Sequence, residues 1–391
     1  MIKAKEGKTM VNQELFDKID ALNSKYLSVW EDVCNIESPT NSKQGVDAVG
    51  SYFIRMAQAL GWQVEVAPFA VSGDAVCITM NPEASLPPVS LSGHIDTVHP
   101  VGLFGVPAVH TDEEKIYGPG VADCKGGVVA GFMAMEALAQ CGFRTRPIQM
   151  ILQSDEETSS KGSDKKTVEY MCQKAEGSVA FLNLEPGNGV SGVLSRKGIL
   201  RCKFHIKGKA AHSSRCVNGA SAIAEAAHKI LKLEQMKDLH GLTCNCGVIQ
   251  GGTVGNAVAA ECWFIADIRF MNEEQCQEVM RTVQAVAEHT DIEGCSCTVE
   301  QISFRPAMSL TETNLQFLDR MNEIFEQYGL PKLAQGMDFG GSDAAYITQK
   351  GIPCVDSIGV VGDRVHSVDE FAYKRSLADA AKRIAVVAAC I

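Results

Sequence analysis

Apolar positions recur at helical spacing over residues 15–30, beginning Leu15, Phe16, Ile19 and Leu22, and again over 46–60, where Gly61 supplies a stop. The period then shortens. Runs at 63–68, 75–80 and 89–92 predict three strands in succession. A loop carrying Pro100, Gly102, Gly105 and Pro107 leads to residues 118–127, where five of ten residues are glycine or proline. That composition predicts an irregular backbone able to approach a bound group closely. Beyond it Val128, Phe132, Met135 and Ala139 mark one face of a helix.

Two further apolar runs, 148–152 and 179–184, end respectively in Asp155-Glu156-Glu157 and Glu185-Pro186-Gly187. The strand at 89–92 likewise ends in His94-Ile95-Asp96. Apolar strands that stop at ionisable residues, separated by helical stretches, describe an open α/β sheet with a site outside the carboxyl ends of its strands. In an extended segment His94 and Asp96 point to one side, which suits two metal ligands, or one ligand and the group that steers it.

From about residue 192 the texture changes. Strand patterns at 199–206, 243–249, 260–270 and 296–302 interleave with helical ones at 220–233 and 273–288. Strand-helix-strand-strand-helix-strand is the order of a ferredoxin-like unit. Afterwards the chain returns to helix at 315–328 and to a short apolar piece at 352–355. The expected organisation is a first domain of 1–192 and 307–391, with 193–306 inserted, in keeping with a chain of 391 residues.

Composition narrows the function classes. The hydrophobic fraction of 46% with 21% charged residues is that of a soluble globular protein, and the net charge of -11 disfavours a grip on nucleic acid or anionic membrane. The amino-terminal pattern contains no export or spanning segment, so cytoplasmic residence is the expectation. Fifteen cysteines without a framework of spacings read as reduced thiols, and the pairs Cys244/Cys246 and Cys295/Cys297 lack the spacing of structural zinc sites.

The ionisable groups at strand ends and glycine-rich turns are His94, Asp96, Asp123, Glu156, Glu157 and Glu185, with Asp343 and His366 far downstream. Taken singly, Glu156 and Glu157 also suit a solvated helix start, Asp123 a turn and His366 a surface loop. Taken together, clustered carboxylates repel unless protonated or neutralised, and divalent metal resolves this economically. Two ions roughly 3.5–4 Å apart need one bridging carboxylate and two terminal ligands each, an inventory these residues meet.

Six segments, in chain order, carry a resemblance: Ser92-Gly93-His94-Ile95-Asp96-Thr97-Val98; residues 117–127; Ser154-Asp155-Glu156-Glu157; Leu184-Glu185-Pro186; Gly208-Lys209-Ala210-Ala211-His212-Ser213; and Gly340-Gly341-Ser342-Asp343-Ala344. They resemble the dinuclear zinc peptidases that include bacterial glutamate carboxypeptidase, aminoacylase, acetylornithine deacetylase and succinyl-diaminopimelate desuccinylase, nearest to the first. The resemblance implies a zinc-exopeptidase-like mixed sheet flanked by helices, with the inserted ferredoxin-like α+β domain as a lid and dimerisation domain.

It further implies two zinc ions per subunit, with cobalt or manganese also compatible with such ligands. His94 and Glu185 would hold one, Glu157 and His366 the other, and Asp123 would bridge. Glu156 would be the general base and Asp96 would hydrogen-bond the distal nitrogen of His94. His212 would stabilise the oxyanion in the partner subunit of a homodimer. Asn256, Arg269, Arg305 and the backbone of Gly341 match positions that contact substrate. Cys124 departs from the pattern, standing where relatives often carry a carboxylate or methionine; it is either an inert neighbour or an oxidation-sensitive thiol. The region around His366 matches in pattern but not closely; His366 is preferred to His99 and His110 because it follows a strand-like run and precedes Asp369-Glu370.

The expected activity is metal-dependent release of an amino acid from a C-terminal peptide or amide bond of a small substrate. The alternative is an N-acyl amino acid deacylase of the acetylornithine deacetylase or aminoacylase type. A non-catalytic metal or amino-acid binding protein is the reading from another class, and it predicts a missing base or ligand.

Overall fold

A computed structural model describes residues 2–238 and 241–391. Its contacts divide the chain into two compact units: Met1–Leu194 with Leu310–Met337 and Tyr346–Ile391, and Ser195–Ser309 with Asp338–Ala345.

The first unit is built on a six-stranded mixed sheet in the order Gln63–Ala67, Ala75–Met80, Ile148–Gln153, Val89–His94, Ala180–Asn183, Cys354–Val355. Val89–His94 runs parallel to the strands on either side, so the ends that carry His94, Glu156 and Glu185 lie along one edge. The first two strands run antiparallel, which makes the sheet mixed. Every residue of Val89–His94 is buried, which explains an apolar run rather than an alternation.

Helix Lys125–Gln140 packs against Ile2–Asn35 and Arg375–Cys390 and against the central strand. The sequence pattern predicts one apolar face; the helix is instead buried on all sides from Lys125 through Leu138, because helices and sheet enclose it. A Cβ at Gly127 would meet the Leu184 carbonyl oxygen at 1.9 Å, so only glycine allows this helix so close to the segment that leads into Glu185. Helix Lys43–Ala59 begins at Ser42, whose hydroxyl accepts the Gly45 N–H, and its Phe53 packs on Phe132 with ring centroids 4.7 Å apart.

A second small sheet joins Gly362–Asp363, Phe371–Tyr373, Lys115–Tyr117 and His110–Thr111. These strands of two and three residues are too short to show an alternation, and the sequence reading anticipates only a strand-like run before His366.

The second unit carries a four-stranded antiparallel sheet ordered Thr243–Gly251, Glu261–Phe270, Gly198–Lys207, Ser296–Arg305, with helices Ala222–Glu234 and Glu273–Glu288. Both its element order and its strand order are ferredoxin-like. Leu200, Cys202, Phe204 and Ile206 alternate inward, and Phe204 stacks on Phe264 at 4.6 Å. A fully buried pair, Lys229 and Glu225 at 3.0 Å, joins the two helices: Lys229 donates to the Val286 carbonyl and Glu225 accepts the N–H groups of Asp291 and Ile292.

Among the described residues no helix is long and apolar enough to cross a membrane, and all fifteen cysteines are free thiols.

Candidate metal centre

The carboxyl ends of three neighbouring strands, the glycine-rich turn and a loop near the chain's end bring the expected ligands of the first unit together. Asp123 is the hinge of the group. Its Oδ1 lies 2.9 Å from His94 Nε2 and its Oδ2 lies 3.2 Å from His366 Nε2. One carboxylate therefore presents an oxygen to each imidazole, the disposition a bridging ligand needs. Glu157 Oε2 stands 3.2 Å from His366 Nε2, and Glu185 Oε1 stands 3.8 Å from His94 Nε2. The ligand atoms of His94, Asp123 and Glu157 lie within 4.8 Å of one another, as do those of His94, Cys124 and Glu185.

Local sequence sets these positions. Gly120, at φ +75°, turns the chain where a Cβ would meet Thr97 at 2.9 Å, and Asp123 follows it directly before the buried helix. The Asp123–Cys124 peptide is cis. His366 has φ +63°, a left-handed conformation uncommon for a residue with a side chain, of the kind that gathers at functional sites.

The electrostatics are those of anions crowded away from water. Burial pushes the Glu157 carboxyl up to about 7, against the hydrogen bond from His366, with the neighbouring Asp123 carboxylate adding to the rise. Burial likewise drives Glu185 well above the usual carboxylate range. Asp123 behaves in the opposite way: burial opposes its ionisation, but hydrogen bonds from His366 and His94 outweigh it and hold the carboxyl well below its ordinary value. Hydrogen bonds to Asp123 and Glu157 raise His366 to about 10. With both imidazoles neutral, three carboxylates leave a charge of -3 in this space, which two divalent cations, at +4 together, would more than offset. The donor set of two imidazoles and three carboxylates fits zinc, and it also accepts cobalt or manganese.

Glu156, buried beside Glu157, is not needed as a ligand, yet its charge raises the carboxyls of both Glu157 and Glu185. It is thus a further buried carboxylate at the centre, beyond the five expected ligands. Asp96 is fully buried. Its Oδ1 sits 3.4 Å from His94 Nδ1, while the closer partner of that nitrogen is the Asp96 main-chain carbonyl at 3.0 Å. The Asp96 carboxylate instead accepts the N–H groups of Glu156 and Glu157, each at 3.2 Å, and the Thr40 hydroxyl at 2.7 Å. The expected steering of His94 is therefore shared between main chain and side chain, and Asp96 also holds the turn of Glu156 and Glu157, the expected base and an expected ligand.

Cys124 Sγ donates to the Leu184 carbonyl at 3.1 Å, and burial with Glu185 beside it pushes the thiol well above its ordinary value. Buried and hydrogen-bonded, it has the surroundings of an inert neighbour rather than of an exposed thiol. Sequence reasoning missed Thr40, Lys125 and Glu370. Lys125 is wholly buried and donates to the carbonyls of Val33 and Ile36. The buried Glu370 carboxylate receives the backbone of the Asp123 turn. Its neighbour Asp369 is exposed, so the pair reads in sequence as a solvated acidic patch.

The remaining expected residues lie in the second unit. His212 Nδ1 accepts the Ser214 N–H at 3.2 Å, which places the ring proton on Nε2 when the imidazole is neutral. Asn256 lies beside it, its carbonyl accepting the Ser213 N–H at 2.9 Å. Arg269 pairs with Asp267 at 2.6 Å. Arg305 is buried 3.4 Å from Asp343, and a Cβ at Gly341 would sit 3.0 Å from the Arg305 side chain.

Carboxypeptidase G2 of Pseudomonas sp. (strain RS-16) is 28% identical over 366 residues, covering 90% of this chain and 87% of that protein. Succinyl-diaminopimelate desuccinylase of Wolinella succinogenes is 27% identical over 301 residues, covering 72% and 78%. The crystal structure of aminopeptidase PepT from Bacillus cereus superposes with a TM-score of 0.75 at 21% identity, covering 93% of this chain and 97% of that one. The model of peptidase family M20/M25/M40 matches residues 90–391. The chain belongs to that family and is a hydrolase of the metallopeptidase kind.

Proposed function

We propose that this protein is a zinc-dependent carboxypeptidase that releases an amino acid from a C-terminal peptide or amide bond, in the manner of the glutamate carboxypeptidases. The observation that carries the reading is the Asp123 carboxylate offering one oxygen to each of two imidazoles, and the buried Glu156 beside Glu157 is assigned as the base. Similarity to a carboxypeptidase across 90% of the chain supports the choice within the family.

His94, Glu185, Asp123, Glu157 and His366 would hold two zinc ions, which when bound supply an acidified water and a polarised carbonyl. Glu156 accepts the proton of the attacking water and returns it to the departing amine nitrogen. Asp96 keeps Glu156 and Glu157 in place through their N–H groups. His212, presenting an Nε2 proton, stabilises the developing oxyanion of the partner subunit in a homodimer formed through the inserted domain, residues 193–306, which also serves as the lid. Asn256, Arg269, Arg305 and the Gly341 N–H are assigned to the substrate's terminal carboxylate and backbone; a guanidinium suits bidentate capture of a carboxylate.

A second reading, an N-acyl amino acid deacylase, rests on the desuccinylase similarity and needs the same centre with a different pocket. Zinc-loaded protein assayed on C-terminal glutamyl peptides and on N-acyl amino acids separates them. Turnover confined to the acyl amino acids would replace the first reading with the second.

A further inference from the structure

Glu370 is 1% exposed, and four hydrogen-bonding groups converge on its carboxylate. Oε1 accepts the N–H groups of Ala122 at 2.9 Å and Asp123 at 3.1 Å. Oε2 accepts the Gly120 N–H at 3.3 Å and stands 3.0 Å from His99 Nε2. The main chain adds a fifth tie, because the Glu370 carbonyl accepts the Gly118 N–H at 3.3 Å.

The origin of those groups matters more than their number. Ala122 and Asp123 form the turn that carries the bridging carboxylate. His99 lies in the loop that leaves the strand of His94, and its ring packs edge-on against Phe104 at 4.9 Å. Glu370 itself belongs to the loop of His366, where its N–H donates to the Ser367 carbonyl at 3.2 Å and Ser367 in turn donates to Arg364. One buried carboxylate thus ties together the three segments that hold His94, Asp123 and His366, which are far apart in sequence.

A buried anion with this many donors is costly to leave half-satisfied and geometrically demanding when satisfied. We propose that Glu370, with His99 as its donor, is the positioning residue of the metal centre: it holds the Asp123 turn in the register at which one carboxylate oxygen meets each imidazole. Glu370 touches neither metal nor substrate and acts through the backbone of Asp123. The inference rests on the metal-centre reading above.

The test is zinc affinity, measured by competition with a chromophoric chelator, together with kcat, KM and the unfolding midpoint. Glu370→Gln places an NH2 group against backbone donors, and its zinc affinity should fall roughly 10–100-fold, with kcat falling while KM holds. His99→Leu should weaken zinc binding in the same direction, and His99→Gln, which keeps an N–H donor, should restore most of it. Glu136→Gln serves as the control: Glu136 is a buried carboxylate bound to Tyr26 and Lys25 away from the centre, so its loss should lower the unfolding midpoint and leave zinc affinity at wild type. Wild-type zinc affinity in Glu370→Gln, with a midpoint lowered as in the control, overturns the proposal. If Glu370→Gln does not fold, equal affinities in His99→Leu and His99→Gln overturn it. A wild-type protein that binds no zinc overturns the metal-centre reading first.

Discussion

Asp96 binds Glu157 through the main chain: the Glu157 N–H donates to Asp96 Oδ2 at 3.2 Å, and the Glu156 N–H donates to Oδ1 at the same distance. A side chain from the His94 strand thereby sets the turn that ends the neighbouring strand. Asp96→Asn replaces one anionic acceptor by an NH2 group facing N–H donors. The expected result is a loss of roughly 10–100-fold in kcat or zinc affinity, in a protein that remains folded. Steady-state kinetics beside a chelator titration would measure it, and unchanged values would remove Asp96 from the centre.

Glu156→Gln separates the base from the ligands. The amide is nearly the same size but accepts no proton, so kcat should drop by about 10²–10⁴-fold while zinc stoichiometry stays at the wild-type value. Residual activity equal to wild type would show that another group takes the proton. Loss of zinc together with activity would make Glu156 a ligand instead.

The centre titrates in a direction that metal reverses. In the metal-free protein the Glu157 carboxyl is held up to about 7 by burial, and His366 is raised to about 10 by its hydrogen bonds to Asp123 and Glu157. Both folded values lie above the unfolded ones. Each group therefore contributes stability that is present below its unfolded pKa and lost as pH rises through its folded pKa. The unfolding midpoint of metal-free protein should fall between pH 6 and pH 10, and the increment gained on adding zinc should grow over the same range. Zinc affinity, which requires both groups to shed their protons, should weaken as pH is lowered from 8 to 6. Thermal melts with and without zinc across this range check the sign, and a zinc increment that shrinks with rising pH would contradict it.

If His212 serves the partner's site, two inactive variants complement one another. His212→Ala and Glu156→Gln subunits, unfolded together and refolded as mixed dimers, should recover about a quarter of wild-type activity, because half the dimers are mixed and each has one intact site. No recovery would place His212 in its own subunit's chemistry or outside it.

Much of this was legible in sequence because the chemistry sits where apolar runs stop. His94, Glu156, Glu157 and Glu185 each follow a buried strand, and a strand that ends abruptly in ionisable residues is visible without coordinates. Asp123 was legible through the glycines that let its turn approach other backbone. Glu370 was not: in an acidic chain, one carboxylate next to another reads as surface, and only the fold shows Asp369 in solvent and Glu370 enclosed. The all-round burial of helix Lys125–Gln140 also escaped the pattern, since glycine and alanine positions do not announce whether they face helix or sheet. Of the small sheet, only a strand-like run before His366, where Gly362–Asp363 lies, was legible, because its strands are too short to show periodicity.

The central claim is a two-metal hydrolase acting on a C-terminal bond. Its most direct test adds zinc stepwise to metal-free protein while following glutamate release from a C-terminal glutamyl peptide. The account predicts no release at the start and a rise that levels off once two equivalents per subunit are bound. Full release before any zinc is added, or no release after both equivalents are bound, would contradict it.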